Sequence, residues 1–285
     1  VSGNILKVTE HSRDVAGLRY VYPVISRRAG GVSVGINLNP NNACNWRCIY
    51  CQVPDLKLGT APPVDLPLLE TELRGFLNEL LLGDFMRTRV PEGARHITDI
   101  ALSGNGEPTS AAEFVQVIEL IGRLKRELAL PVHIKLLLIT NGSLLQRKNV
   151  QLGLRQMAQL NGEVWFKLDR ASEQGMAHIN DTRTRLDKVR ENLKLAIACC
   201  PNTWLQTCWF ALDGVAPSLQ DEDDYLKFLS ELLLQGIKPK GVLLYGIARA
   251  SMQPEVSRLQ ALSIEQMAHF AERIRQLDLT VNISE

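Results

Sequence analysis

The chain has 285 residues, 45% hydrophobic and 22% charged, and its formal net charge is +1. The length excludes a minimal domain and leaves one large α/β barrel or two ordinary domains. The composition is that of a soluble globular protein, and the near-neutral charge gives no global pull toward nucleic acid, although a local basic patch would suffice for one. No run of about 18 apolar residues occurs, so no membrane span is expected. The opening VSGNILKVTEHSRD lacks the apolar core of a signal peptide. The expected location is the cytoplasm, where thiols stay reduced and clustered cysteines point to metal or redox chemistry instead of disulfides.

Residues 1–30 are expected to form an extension ahead of a core domain at 31–285. Tyr20, Tyr22, Arg27 and Arg28 in that extension suit either stacking on and neutralising a nucleic acid or packing along the edge of the core, and packing is the preferred reading. Six β-rich runs follow: VSVGINL (32–38), ITDIALS (97–103), HIKLLLIT (133–140), EVWFKLD (163–169), TWLQTCWFAL (203–212) and GVLLYGIA (241–248). Between them lie segments with helical spacing of apolar residues, at 66–85, 111–128, 186–200, 221–236 and 263–278. Thr109 and Ser110 are cap candidates for the second. Strands alternating with helices predict a parallel sheet. Six such units are too few for a closed eight-unit barrel, so an open partial barrel or a doubly wound sheet is expected. In either, function sits at the C-terminal ends of the strands.

The stretch CNWRCIYC after the first run puts Cys44, Cys48 and Cys51 at that functional edge. Structural zinc is almost always held by four ligands, so a zinc site would need a distant fourth. Three thiolates suit a [4Fe–4S] cluster with one iron left open for a substrate or cofactor. The second run ends in SGNGEPTS, whose small residues let backbone approach a ligand closely, or simply make a tight turn. Thr140, Asn141 and Gly142 end the third run as an Asn-Gly turn or as part of a site. In EVWFKLD, alternation puts Val164, Phe166 and Leu168 on one face and Trp165, Lys167 and Asp169 on the other. Helices cover the outside of a barrel, so Lys167 and Asp169 are expected inside. There they pair with each other, or act on ligand hydroxyls as donor and acceptor. Cys199, Cys200 and Cys208 are read as packing. The five histidines make no metal pattern.

Cys44-x3-Cys48-x2-Cys51, with aromatic Tyr50 before the last cysteine, resembles the signature of the radical S-adenosylmethionine (SAM) enzymes. The resemblance covers residues 31–285 and implies a partial (β/α)6 barrel. It also implies a cluster whose open iron chelates the amino and carboxylate groups of SAM, and whose electron yields a 5′-deoxyadenosyl radical that takes hydrogen from a substrate. SGNGEPT resembles the family's glycine–glutamate motif, which assigns Gly104, Asn105, Gly106 and Glu107 to the methionine ammonium of SAM. The family pattern further implies that Thr140 and Asn141 line the site, that Tyr245, Gly246 and Ile247 meet the adenine, that Arg249 contacts SAM or substrate, and that Lys167 and Asp169 reach the ribose. An electron donor such as flavodoxin or ferredoxin is implied as a partner. Taken together, CNWRCIYC, SGNGEPT, TNGSLL, FKLDRAS and LLYGIAR look most similar to the branch containing the tRNA wyosine-base synthases, so a tRNA or other nucleoside is the expected substrate. The alternatives are a glycyl-radical-enzyme activase acting on a protein partner and a non-catalytic zinc module.

Overall fold

Apolar residues at alternate positions of the strands build one continuous sheet. In the computed structural model, which describes residues 5–6, 17–26 and 30–284, the strands are β1 (Val21–Ile25), β2 (Val32–Ile36), β3 (Ile97–Leu102), β4 (Lys135–Thr140), β5 (Gly162–Lys167), β6 (Thr203–Cys208), β7 (Val242–Tyr245) and β8 (Val281–Ser284). They lie in chain order across the sheet. β1 runs antiparallel to β2 and every later neighbour is parallel. β1 and β8 are the two free edges, so this is the expected open partial barrel. All six expected strands are present, and β1 and β8 extend the sheet at its two edges.

The helices are α1 (Leu66–Leu82), α2 (Phe114–Glu127), α3 (Lys148–Gln159), α4 (Glu173–Asn180), α5 (Leu186–Cys199), α6 (Leu219–Leu234) and α7 (Ile264–Arg275), with a five-residue helix at Phe85–Arg89. Their starts are set by side chains. Asp65 accepts from the Leu68 N–H at α1, and Ser218 with Asp221, and Ser263 with Gln266, form capping boxes at α6 and α7. Thr109 and Ser110 do not cap α2; they form a single 3-10 turn and bond back to Glu107. α3 and α4 have no counterpart among the expected helices. α3 buries Val150, Leu154 and Met157 and carries a glycine, Gly153, where a Cβ would come within 2.5 Å of the Phe114 ring. α4 is only eight residues long.

The outward face of the sheet packs against these helices. Val34, Ile36, Ile100, Leu102, Leu136, Leu138, Val164, Phe166, Leu205, Val242 and Leu244 are all buried there, each contributing roughly 1.5–3 kcal/mol by transfer from water. Tyr20 and Tyr22 are 1% and 3% exposed. The Tyr20 hydroxyl accepts from the Asp65 N–H (3.0 Å), and the Tyr22 hydroxyl bonds Ser103 Oγ (2.8 Å). Both therefore belong to the packing reading; Arg27 and Arg28 lie outside the described residues. No helix among the described residues is long and apolar enough to cross a membrane.

Candidate active site

Beyond β2 the chain enters INLNPNNACNWRCIYC, and the asparagines explain how an irregular loop can sit over a barrel mouth. Three of them satisfy loop backbone and a fourth ties the loop to β4. Asn39 Nδ2 donates to the Ala43 carbonyl (2.9 Å), Asn41 Oδ1 accepts from the Ala43 N–H (3.2 Å), and Asn42 Nδ2 donates to the Pro54 carbonyl (3.0 Å). Asn45 bridges to the end of β4, accepting from Asn141 Nδ2 (2.8 Å) and donating to Ser143 Oγ (2.7 Å). On its other side the loop is strapped by distant residues. Ser251 Oγ donates to the Ile49 carbonyl (2.8 Å), and the Met252 N–H to that of Cys51 (2.8 Å). Arg47 pairs with Asp181 and Glu255 (both 3.0 Å).

So held, Cys44, Cys48 and Cys51 face one cavity of about 350 Å³. Burial pushes both the Cys44 and the Cys48 thiol up to about 12, so each keeps its proton until a metal takes its place. Asn180, the last residue of α4, donates from Nδ2 to Cys48 Sγ at 3.2 Å.

The glycine segment is pressed against this loop. Gly104 has φ +139°, a conformation that favours glycine, and a Cβ on it would meet Asn37 Oδ1 at 2.5 Å; one on Gly106 would meet the Ala43 carbonyl oxygen at 2.0 Å. The Asn105 N–H donates to Asn37 Oδ1 (3.0 Å) and its Nδ2 to Asn42 Oδ1 (2.6 Å), while its own Oδ1 is buried with no partner. Glu107 is 2% exposed. Its Oε1 accepts from the Thr109 N–H (3.1 Å), Thr109 Oγ1 (2.5 Å) and Thr140 Oγ1 (2.6 Å), and its Oε2 from the Asn141 N–H (2.7 Å). Oε1 is saturated, so the open lone pair is on Oε2. Burial pushes this carboxyl up, against the pull of those donors.

Opposite, Lys167 Nζ donates to the Tyr245 hydroxyl (2.9 Å) and lies 5.0 Å from the Tyr50 ring centroid and 4.0 Å from Asp169 Oδ1. Burial is the largest influence and works against its charge, but Asp169, Tyr245, Cys48 and Cys208 together outweigh it and the ammonium is held above the ordinary lysine range. Val164, Phe166 and Leu168 point outward as alternation requires. Asp169 keeps the expected pairing with Lys167 but does not line the cavity as a ligand contact would. It is 1% exposed and stands behind the cavity wall, its oxygens taken by the Cys208 N–H (2.8 Å), the Tyr50 hydroxyl (2.5 Å) and Asn180 Nδ2 (2.7 Å). It positions Tyr50 and Asn180 and does not face a ligand.

Of the remaining expected residues, Tyr50, Gly104, Asn105, Gly106, Glu107, Asn141, Lys167, Tyr245 and Arg249 line the cavity with the three cysteines. Thr140 is one step back, committed to Glu107 and to the Gly142 N–H (3.0 Å). Gly246 and Ile247 sit beside the wall, not on it. The Gly246 N–H is taken by the Ser284 carbonyl (3.1 Å), and Ile247, like Tyr50 and Tyr245, packs against the cluster of Ile49, Ile179, Cys208 and Phe210. Cys199 and Cys200 are buried in the main core, and Cys208 in a smaller cluster with Ile49 and Phe210. Asn180, Ser251 and the loop asparagines were not anticipated. Only the asparagine density carried a signal in the sequence.

The residues present fit an iron–sulfur cluster with SAM beside it. Three cysteines and Asn105 line one cavity, the buried Asn105 Oδ1 has no partner, and Gly104 and Gly106 leave no room for side chains. Among the described residues no three His, Cys, Asp or Glu side chains could hold a metal ion together. A cubane, by contrast, attaches its thiolates to separate irons and needs no such convergence.

The overall shape agrees. S-adenosylmethionine-bound SuiB of Streptococcus suis superposes with a TM-score of 0.57 at 13% identity, over 88% of this chain and 49% of SuiB. TYW1 with a lysine–pyruvate adduct bound gives 0.57 at 14% (88% and 74%), and a spore photoproduct lyase variant 0.57 at 12% (93% and 79%). The chain has the radical SAM fold. Sequence comparison adds less to this assignment. No family model matches. A protein named GTPase Obg from Brachyspira hyodysenteriae is 26% identical over 91% of this chain, and a UPF0026 protein from Helicobacter pylori 30% identical over 47%. The chain spans only 34% and 38% of those two proteins.

Proposed function

We propose that the chain is a radical SAM enzyme, an oxidoreductase whose [4Fe–4S] cluster is held by Cys44, Cys48 and Cys51. The observation that carries this is the convergence of three cysteines and the Gly104–Glu107 segment on one cavity at the C-terminal edge of this fold. When bound and reduced, such a cluster supplies the electron that splits the sulfonium bond of SAM, and the resulting 5′-deoxyadenosyl radical takes a hydrogen atom from substrate. The chain's own residues prepare the place. Glu107 Oε2 offers its free lone pair to the SAM ammonium, and Gly104 and Gly106 let backbone come close. Lys167 and Tyr245 give donors to hydroxyls on the far wall. The asparagine loop and the Ser251 strap hold the thiols in place, and Trp46 and Val53 on the cavity wall limit water. A flavodoxin or ferredoxin is the fitting class of electron donor.

The test is anaerobic reconstitution with iron and sulfide, followed by reduction with SAM present. A brown protein with about four irons per chain that releases 5′-deoxyadenosine is expected. A colourless, zinc-loaded protein would return the loop to a structural metal site. About eight irons, falling when Cys199 or Cys208 is replaced, would show a second cluster.

A further inference from the structure

The strand registers divide the inside of the barrel into levels. Val24, Ser33, Asp99 and Lys135 stand opposite one another across β1, β2, β3 and β4. One level nearer the mouth come Tyr22, Gly35, Ala101 and Leu137. Ile139 and Trp165 follow, and Lys167 and Gln206 are higher still. The cavity that holds the cysteines reaches down to the lowest level, where Val24, Ile25, Ser26, Ser33 and Asp99 line it. Asp99 lies roughly 13 Å below Ser103 at the end of its strand, at about 3.3 Å per residue. The proposed cluster and SAM contacts use none of these lower side chains.

Asp99 is a carboxylate without a counter-ion. It accepts from Ser33 Oγ on one oxygen and from Thr98 Oγ1 (2.9 Å) on the other, which leaves a lone pair on each. Among the described residues no lysine, arginine or histidine pairs with it, and its register neighbour Lys135 pairs with Glu163 instead (2.5 Å). Burial pushes the Asp99 carboxyl up, against the pull of the two hydroxyls. A carboxylate taken out of water is costly unless a cation meets it. This one is partly exposed and borders the cavity. Between it and the mouth, Ala101, Leu137 and Ile139 line the cavity, and none of the three has a polar side-chain atom. A ligand that reaches down from the mouth therefore passes an apolar section before it meets an uncompensated negative charge.

We propose that the lower half of the cavity is a substrate subsite for an aliphatic chain ending in an ammonium, with the charge on Asp99 and the methylenes against Ala101, Leu137 and Ile139. The other end of the chain then points toward the cysteines. This rests on the radical SAM reading only for where the reaction takes place. A free alkylamine and a lysine side chain in a peptide both supply this group, and the two sources share its chemistry.

The experiment is calorimetric titration of the iron-loaded, SAM-bound full chain at neutral pH under anaerobic conditions. The probes are butylamine, hexylamine and octylamine, with 1-hexanol as the neutral partner of hexylamine and a short glycine-flanked lysine peptide beside them. Hexylamine should bind about tenfold more tightly than 1-hexanol or better, as expected for one charge-assisted hydrogen bond. Each methylene added between butylamine and hexylamine should tighten binding about three- to fourfold, as burial of a CH2 group predicts. Asp99→Asn should erase the preference for the amine over the alcohol and keep the dependence on length. It should also melt at the same temperature as the unmodified protein or above, because it removes a charge that nothing pairs. A lowered melting temperature with the amine preference kept would make the carboxylate purely structural and overturn the proposal. Equal binding of amine and alcohol, affinity independent of chain length, or no binding at millimolar concentration would overturn it as well. Tighter binding of the peptide than of hexylamine assigns the ammonium to a lysine side chain; the reverse assigns it to a free amine. Iron and 5′-deoxyadenosine are measured on the same samples. A chain that takes up no iron but still prefers the amine would sink the cluster reading and keep this one, and a chain that cleaves SAM without that preference would do the opposite.

Discussion

The two faces of the sheet are made from the same strands and obey opposite rules. Outward positions such as Val34, Ile100, Leu138, Val164 and Phe166 are apolar and sealed under helices. Inward positions mix small, polar and charged residues (Ser33, Gly35, Asp99, Ala101, Lys167 and Gln206) with the apolar Leu137, Ile139 and Trp165. The outward face gains free energy by excluding water. The inward face keeps open a cavity and leaves Gln206 Oε1 unmatched, which a fold selected for stability alone would have filled. Substitutions on the outward face should therefore change stability and spare chemistry; those on the inward face should do the reverse.

The sharpest test on the inward side is Cys48→Ala, or the same change at Cys44 or Cys51. Iron content and 5′-deoxyadenosine release should both fall to background, with a near-native melting curve for the apoprotein. On the outward side Phe166→Ala should cost about 3–5 kcal/mol in denaturant unfolding, since the ring is buried and its loss leaves a cavity. Iron uptake below the new melting point should persist. If Phe166→Ala abolished iron binding while leaving stability alone, the division between the faces would be wrong.

Glu107 sits where the two rules meet. Glu107→Gln should weaken SAM binding about tenfold, by the loss of a charge-assisted hydrogen bond. It also turns a donor toward the Asn141 N–H, which now bonds Oε2, so some stability should go as well. The pH dependence has a definite sign. Burial holds the folded carboxyl above its ordinary value, so the folded state binds the proton more tightly. This group's contribution to stability then falls as pH rises from the ordinary carboxylate range through the folded value. SAM affinity should rise across the same window, because the ionised form meets the ammonium, and Glu107→Gln should flatten that rise. A pH-independent affinity in the unmodified protein would remove Glu107 from the SAM contact. A smaller effect is expected of Lys167→Met. It should lower 5′-deoxyadenosine formation with iron retained, and full activity with reduced stability would make the lysine structural.

Much of this was legible in the sequence because it is local. Period-two alternation set the two faces of β5, and the spacing of Cys44, Cys48 and Cys51 marked the loop. What was hidden depends on contacts between segments far apart in the chain. Ser251 reaches the Ile49 carbonyl from some two hundred residues away, and nothing in SMQPE signals it. Asp169 looked like a ligand contact because it follows Lys167 at the strand end. Its oxygens turned out to be claimed by Tyr50, Asn180 and the Cys208 N–H, partners that only folding supplies. α3 carries Val150, Leu154 and Met157 at helical spacing, but Gly153 stands among them and weakens the signal; that same glycine is what lets the helix close on Phe114.

Asn180 offers the finest test, because it joins the two faces of the problem in one side chain. Its Nδ2 reaches both Cys48 Sγ and Asp169 Oδ2, and its carbonyl accepts the Arg47 N–H at 3.2 Å. A hydrogen bond to a ligating sulfur stabilises the reduced, more negative cluster more than the oxidised one, so it raises the reduction potential. Asn180→Leu keeps the backbone contact and the volume but removes the donor. It should retain iron, melt close to the unmodified protein, and show a more negative midpoint potential in an anaerobic titration followed by electron paramagnetic resonance. Release of 5′-deoxyadenosine should slow with a weak reductant and recover with a strong one. A purely structural asparagine would give another pattern: lost iron or a lowered melting temperature with the potential unmoved. Asp169→Asn discriminates further. It leaves the Cys48 contact available but weakens the acceptor that orients Asn180, so its shift should have the same sign and be smaller. Removing the negative charge would by itself favour the reduced cluster, so a positive shift from Asp169→Asn would mean that the carboxylate acts on the cluster directly, and not through the amide.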